Sequence, residues 1–478
     1  LAWGLAALTG GLMIAFLPLE VSLLLFGGVA LLLMAYLEPS LALILMLCLA
    51  PLKTLIETEM GWPLPLDIGQ WAFGFYGAAW LVHQMVLKRC NIRIDPRQQP
   101  ILWALGLFLL ATSFSLWTAY DAGQVVRESL KWVQIGLLVV TVSYQSSRWD
   151  WIALGVVASA SLQALVGLWQ FQGGSGAAHL WILDYRFFRA FGSFGQPNPF
   201  GGFMGLVGPL ALGLMLGYGL QAYRERATSV TTTALAVVYT GCTALLIFGL
   251  LTSWSRGAWL GFMGASAMVL WSFPVQRWLG NIAVLGGASL LFLLWGLGLL
   301  PASLTGRLTS FTQDLTNIQD VRGVVISDAN YAVVERLAHW QAAIGMAEAS
   351  PWLGIGFGNY ELAYPDFDLI NWPFALGHAH NYYLNLWAET GIIGLVSYLV
   401  LWACVIAVTL RLLYLPDLTW PERGLAAGLS GTWTHLSIHS LLDNLYVNNL
   451  FLHIGVMMGL VAALHLIRMA HRDGFLHF

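Results

Sequence analysis

Runs of about 20 apolar residues separated by short polar clusters recur along most of the chain, and a helix of that length crosses a hydrocarbon core of roughly 30 Å. Spans are predicted near residues 2–17, 21–37, 40–52, 69–87, 100–118, 130–146, 150–171, 200–221, 231–251, 257–273, 279–300, 381–410, 423–441 and 449–468. The third is short and the sixth weakly apolar, which gives about 12–14 transmembrane helices. The two-residue alternation of a membrane β-barrel is absent, so the predicted fold class is all-α, a polytopic integral membrane protein. The first span is expected to serve as the insertion signal, with no cleavable leader.

Two longer polar stretches interrupt this pattern, at about 172–199 and 301–380. They divide the chain into an N-terminal transmembrane scaffold, 1–171, and a region carrying the chemistry, 172–478, which includes the long loop 301–380. Within that loop Val333, Leu337, Trp340, Ile344 and Ala347 recur at helical spacing, with Arg336, His339 and Glu348 on other faces. An amphipathic helix over Tyr331–Ser350 is predicted there. Pro351 ends it, and GIGFGNY then makes a structural turn, since no strand precedes it as a dinucleotide fingerprint requires.

Composition supports this reading: 58% of residues are hydrophobic and 9% charged, too few to cover a soluble domain with polar surface. The basic residues add direction. With the N-terminus in the cytoplasm, Lys88, Arg89, Arg93, Arg97, Arg148, Arg224, Arg226, Arg277, Arg411, Arg423, Arg468 and Arg472 all fall inside. Arg186, Arg189, Arg256, Arg307, Arg322 and Arg336 fall outside, where the charge bias gives no reason for them. Cys48, Cys90, Cys242 and Cys404 are scattered singly, without a CxxC pair. Nucleotide-binding signatures are lacking, and nothing suggests nucleic acid.

The candidate chemistry lies on the outer side. Arg189 begins RAFGSFGQPN, a glycine- and proline-rich entry to the next span, and Arg256 joins two spans through a very short outer turn. Interfacial anchoring is the simpler reading of Arg186. A charge at the depth of Arg256 is costly unless paired or solvated, which makes it a functional candidate, with snorkelling to the headgroups as the alternative. His380 and Asn381 open the span after the long loop, and a histidine at that lip can accept and release a proton near neutral pH. The HAH pair, His378 and His380, with His435, His439 and Asp443, also offers a zinc-ligand set.

These residues carry a resemblance to the O-antigen ligase and polymerase family of membrane glycosyltransferases. It rests on RAFGSFGQPN, TSWSRGAWL, RLAHW, PWLGIGFGNY and HAHNYYLNLWAETGIIGL, in that order between about 185 and 400. The resemblance implies a polyprenyl-diphosphate-linked glycan as donor and a saccharide or lipid-core hydroxyl as acceptor, with the lipid bilayer as host. Arg189, Arg256 and Arg336 would hold the diphosphate, and His380 would be the catalytic base. Asn381, His378 and Glu389 would support it, with no metal and no cofactor. Reaction would be inverting, on the outer face of the bacterial cytoplasmic membrane. A polysaccharide polymerase of the same family, or a lipid-linked glycan flippase, are the competing readings.

Overall fold

The computed structural model describes residues 37–62, 66–86, 99–174, 180–182, 186–301, 305–306, 320–326, 330–369, 372–415 and 417–472. The spans expected near 2–17 and 21–37 lie outside the described residues, as do Lys88, Arg89, Cys90, Arg93, Arg97 and Arg307.

Each of the other predicted spans is a helix. In chain order they are α1 (Pro39–Leu49), α2 (Ile68–Val86), α3 (Gln99–Ser113), α4 (Ala122–Ser143), α5 (Trp149–Trp169), α6 (Pro197–Arg224), α7 (Val230–Thr252), α8 (Arg256–Ser272) and α9 (Arg277–Gly296). Two short helical elements outside the spans come next, α10 (Tyr331–Ala349) and α11 (Tyr360–Ala363). The chain closes with α12 (Tyr382–Leu412), α13 (Trp420–His439) and α14 (Leu450–Arg472). Among the described residues, seven helices are long and apolar enough to cross a membrane: α3 with its adjoining turn, α5, α6, α7, α9, α12 and α14. The protein is a multi-pass, all-α membrane protein. The remaining predicted spans are shorter, as α1 and α8, or carry more polar side chains, as α2, α4 and α13.

Local chemistry sets several of these boundaries. Asp121 caps α4, its Oδ1 accepting from Gly123 N at 2.8 Å, so the helix starts well before the predicted residue 130 and carries Glu128 and Lys131 in its second and third turns. At one end of the bundle Arg423 donates to the carbonyls of Phe273, Leu413 and Pro274, tying α13 to the turn after α8. That arginine is a brace.

The opposite end carries α10 and α11. Here the predicted apolar face of α10 is corrected in part: Val333 and Ala347 are buried as expected, but so are Val334, Ala338, Ala342, Ala343 and Met346, while Ile344 is exposed. Ala342 and Ala343 are small enough to let α10 lie close to Ala388 of α12 and to Tyr360 and Tyr364, while Val334 and Ala338 pack against Val321 and Trp372. GIGFGNY is a structural turn, as expected, and it is clamped into a kink of α12. Gly391 breaks the helical backbone at φ 63°, ψ −170°, which frees two carbonyls: Ile355 N donates to Ala388 O at 3.0 Å and Gly356 N to Glu389 O at 2.9 Å. The two backbones touch so closely that a Cβ on Gly391 would lie 2.2 Å from the carbonyl of Trp352. Such a conformation belongs almost solely to glycine. Gly391→Ala is therefore expected to destabilise the protein by about 3 kcal/mol. Thermal unfolding in detergent checks this against Gly287→Ala, where nothing lies within 4 Å of the added Cβ and no loss is expected.

Candidate active site

Arg189 stands just after a two-stranded hairpin, β1 (Trp181–Ile182) paired with β2 (Phe187–Phe188). The backbone just beyond it is pinned by two buried amides from α5 and its extension. Gln170 Oε1 accepts from Phe191 N and Gly192 N, and Gln163 Oε1 accepts from Ser193 N. Ala190 N donates to Thr252 O at 2.9 Å, which brings the arginine beside the turn between α7 and α8. Its guanidinium then donates to Ser253 O at 3.0 Å and to Asn198 Oδ1 at 3.3 Å. Asn198 is thus an anchor for Arg189.

Arg189, Arg256 and Arg336 line one cavity of about 170 Å³ together with Glu335, His439 and Asp443. Burial, and then the charges of Arg336 and Arg256, lower the pKa of Arg189 to about 10. Three like charges brought together at cost are the mark of an anion site. Arg336 is held by its own helix and by the loop after α13, donating to Ala332 O at 2.7 Å and Leu442 O at 3.3 Å. Arg186 is exposed on the hairpin and lies outside this lining.

Beside the arginines sits a histidine–carboxylate cluster. His380 Nδ1 lies 3.6 Å and His378 Nε2 3.7 Å from Asp443 Oδ1, at ion-pair rather than hydrogen-bond distance. The loop geometry distinguishes the two histidines. His378 Nδ1 accepts from His380 N at 3.0 Å, so neutral His378 carries its proton on Nε2 and has no free lone pair to act as a base. Burial, and then His380, lower the His378 pKa to about 4 in spite of Asp443. Neither ring nitrogen of His380 has a hydrogen-bond partner among the described residues. With Asp443 favouring the proton on Nδ1, its Nε2 is the available base.

His380 has a positive φ of 52°, an uncommon conformation for a residue other than glycine, enforced by the N-terminal cap of α12. Asn381 Oδ1 makes that cap, accepting from Tyr383 N at 3.0 Å and Leu384 N at 3.1 Å. Asn381 thus sets the backbone direction of His380, its carboxamide oxygen being taken up by the helix. Tyr382 N donates to Ser440 O, which locks this cap to the loop carrying Asp443. Asp443 is buried, which alone raises its pKa, but contact with His380 and the charges of His380 and His378 hold it well below the usual carboxylate range.

Other candidates fall in different places. Glu389 accepts from Tyr360 N at 3.0 Å and supports α11 rather than pairing with an arginine. His435 stacks on His439 and contacts Gly202 O at 3.1 Å. His378, His380 and Asp443 alone bring ligand atoms within 4.8 Å of one another among the described residues, a spacing that would also suit a metal ion. Asp443 as a partner of His380, and Glu335 at the arginine cavity, were not legible as such in the sequence. Asp443 lies 63 positions from His380, and only the cap-to-loop contact joins them.

Residues 241–399 match the family model described as O-antigen ligase. Over that stretch the chain is similar to the O-antigen ligases. No curated protein matches the chain. The O-antigen ligase match contains Arg256, Arg336, His378, His380, Asn381 and Glu389, while Arg189 and Asp443 reach the same cluster from outside it. The match suggests a ligase- or polymerase-type function at the membrane.

Proposed function

We infer that the protein transfers a glycan from a polyprenyl-diphosphate carrier to an acceptor hydroxyl, on the outer face of a bacterial cytoplasmic membrane. The observation that carries this reading is the convergence of three arginines beside a histidine whose base nitrogen is free and whose other nitrogen faces a carboxylate. Arginine forks match phosphate oxygens, and a site this small admits the diphosphate while the lipid and glycan lie beyond it. His380 Nε2 takes the proton of the acceptor hydroxyl as its oxygen forms a bond to the anomeric carbon. The bond from that carbon to the diphosphate oxygen breaks, and its electron pair leaves with the lipid diphosphate, whose charge the arginines stabilise. Attack opposite the leaving group inverts the anomeric centre. Asp443 steadies the imidazolium that results.

The lipid-core ligase and the polymerase differ only in acceptor within this scheme. Transport is less well supported, because the charged side chains gather at helix ends and loops, whereas carriers place their sites near mid-membrane.

The test is transfer by purified protein in detergent, from a polyprenyl-diphosphate oligosaccharide to saccharide acceptors, without ATP and in the presence of EDTA. Product of inverted configuration is expected under those conditions. Activity abolished by EDTA and restored by zinc would instead make the histidine–aspartate cluster a metal site.

A further inference from the structure

A second cavity, about 520 Å³, opens on the other side of the histidines. That volume falls in the range of about 300–1,000 Å³ typical of ligand pockets, whereas the arginine cavity is smaller. The partition between the two is made by Asp443, which lines the first, and His378, which lines the second; His380 stands against both of these side chains. The chemistry of the second cavity is opposite to that of the first. Glu59, Glu128 and Glu389 stand against a single lysine, Lys131, whose ammonium is paired with Glu128 at 2.5 Å. Carboxylates in that number repel phosphate. Amides from Asn385 and Asn444 lie among the rings of Phe194, Phe357, Tyr382 and Tyr446. Tyr382 is buried, and its hydroxyl has no hydrogen-bond partner among the described residues.

We propose that this second cavity is the acceptor subsite and that it takes an uncharged saccharide end, neither a phosphorylated sugar nor an acyl chain. Carboxylates and amides accept from and donate to sugar hydroxyls, aromatic rings cover the apolar faces of the sugar, and the polar lining excludes lipid. The N-terminal helices thereby become part of the site, since Thr54, Thr58, Glu128 and Lys131 come from the first 171 residues. The proposal rests on the transfer reading above, in which His380 lies between donor and acceptor.

Two probes separate the subsite from that reading. Purified protein in lipid nanodiscs is examined by saturation-transfer NMR with maltotriose, chitotriose and glucose 6-phosphate, and by thermal shift with inorganic pyrophosphate. At least one neutral trisaccharide is expected to bind and glucose 6-phosphate to bind more weakly. Thr58→Trp, at an exposed position of the cavity mouth, and the near-isosteric Glu128→Gln are each expected to weaken trisaccharide binding about tenfold without changing the pyrophosphate shift. Arg256→Gln should do the reverse. Trisaccharide binding that survives Thr58→Trp and Glu128→Gln but is lost in Arg256→Gln would overturn the subsite, as would preference for the phosphorylated sugar or failure of both neutral trisaccharides to bind. A missing pyrophosphate shift in the wild type would count against the donor reading, whatever the saccharides do.

Discussion

His380→Ala is expected to lower kcat for glycan transfer by about 10²–10⁴-fold, the range contributed by a general base, while pyrophosphate still raises the melting temperature. The size of that loss rests on tautomer chemistry. His378 gives its Nδ1 lone pair to the backbone of His380, and its Nε2 carries the proton, so it cannot replace its neighbour. Glu335 is a nearby carboxylate whose pKa is raised by burial, but it stands at the arginine cavity, where it meets the donor rather than the acceptor hydroxyl. Asp443→Asn is expected to cost less than His380→Ala in kcat, because it disturbs the orientation of the base without removing it. His378→Ala should cost least of the three. Each variant is compared at saturating donor and acceptor, with folding checked by thermal unfolding. Full activity in a folded His380→Ala protein would move the base elsewhere, and a His378→Ala protein as inactive as His380→Ala would show that the loop, not one ring, carries the effect.

Much of the scaffold was legible because its signal is local. A span announces itself by 20 apolar residues in a row. Arg256 was legible for a related reason, since a charge at the edge of a hydrocarbon layer is costly unless paired or solvated, while the diphosphate role of Arg336 came only through the resemblance. The Asp443–His380 contact was not, because nothing in LLDNLY says which loop lies across from it. The kink at Gly391 escaped notice because GIIGL continues the apolar run without a break, and only the packing of the Pro351–Tyr360 turn against α12 requires the broken backbone. The face of α10 was legible in part, at Val333 and Ala347; a pattern that favours large side chains misses Ala342 and Ala343, which the close approach to Ala388 of α12 calls for. Gln163 and Gln170 had a visible signal, two amides in an apolar helix, which becomes interpretable once their oxygens are seen to hold the Arg189 loop.

Arg256→Gln is expected to lower kcat/KM for the lipid-diphosphate donor by about 10- to 150-fold, corresponding to the loss of one charge-assisted contact worth roughly 1.5–3 kcal/mol. Arg256→Lys should recover only part of this, since an ammonium keeps the charge but loses the planar fork. Stability should not fall in parallel. Arg189 already shows the strain of the cluster, its pKa depressed by burial and by its two companions, so removing one positive charge relieves repulsion in the ligand-free protein. Arg423→Gln supplies the contrast. That guanidinium serves three carbonyls at the other end of the bundle, and losing it leaves them unpaired, which lowers the melting temperature without a selective effect on donor use. The deciding pair of measurements is donor kcat/KM and the melting temperature with and without pyrophosphate, since a ligand that binds only the folded state raises its stability. A pyrophosphate shift retained in Arg256→Gln would remove this arginine from the anion site. A shift lost together with donor kcat/KM, in a protein that melts no lower than the wild type, would identify the three arginines as a clamp whose mutual repulsion is tolerated for the charge it binds.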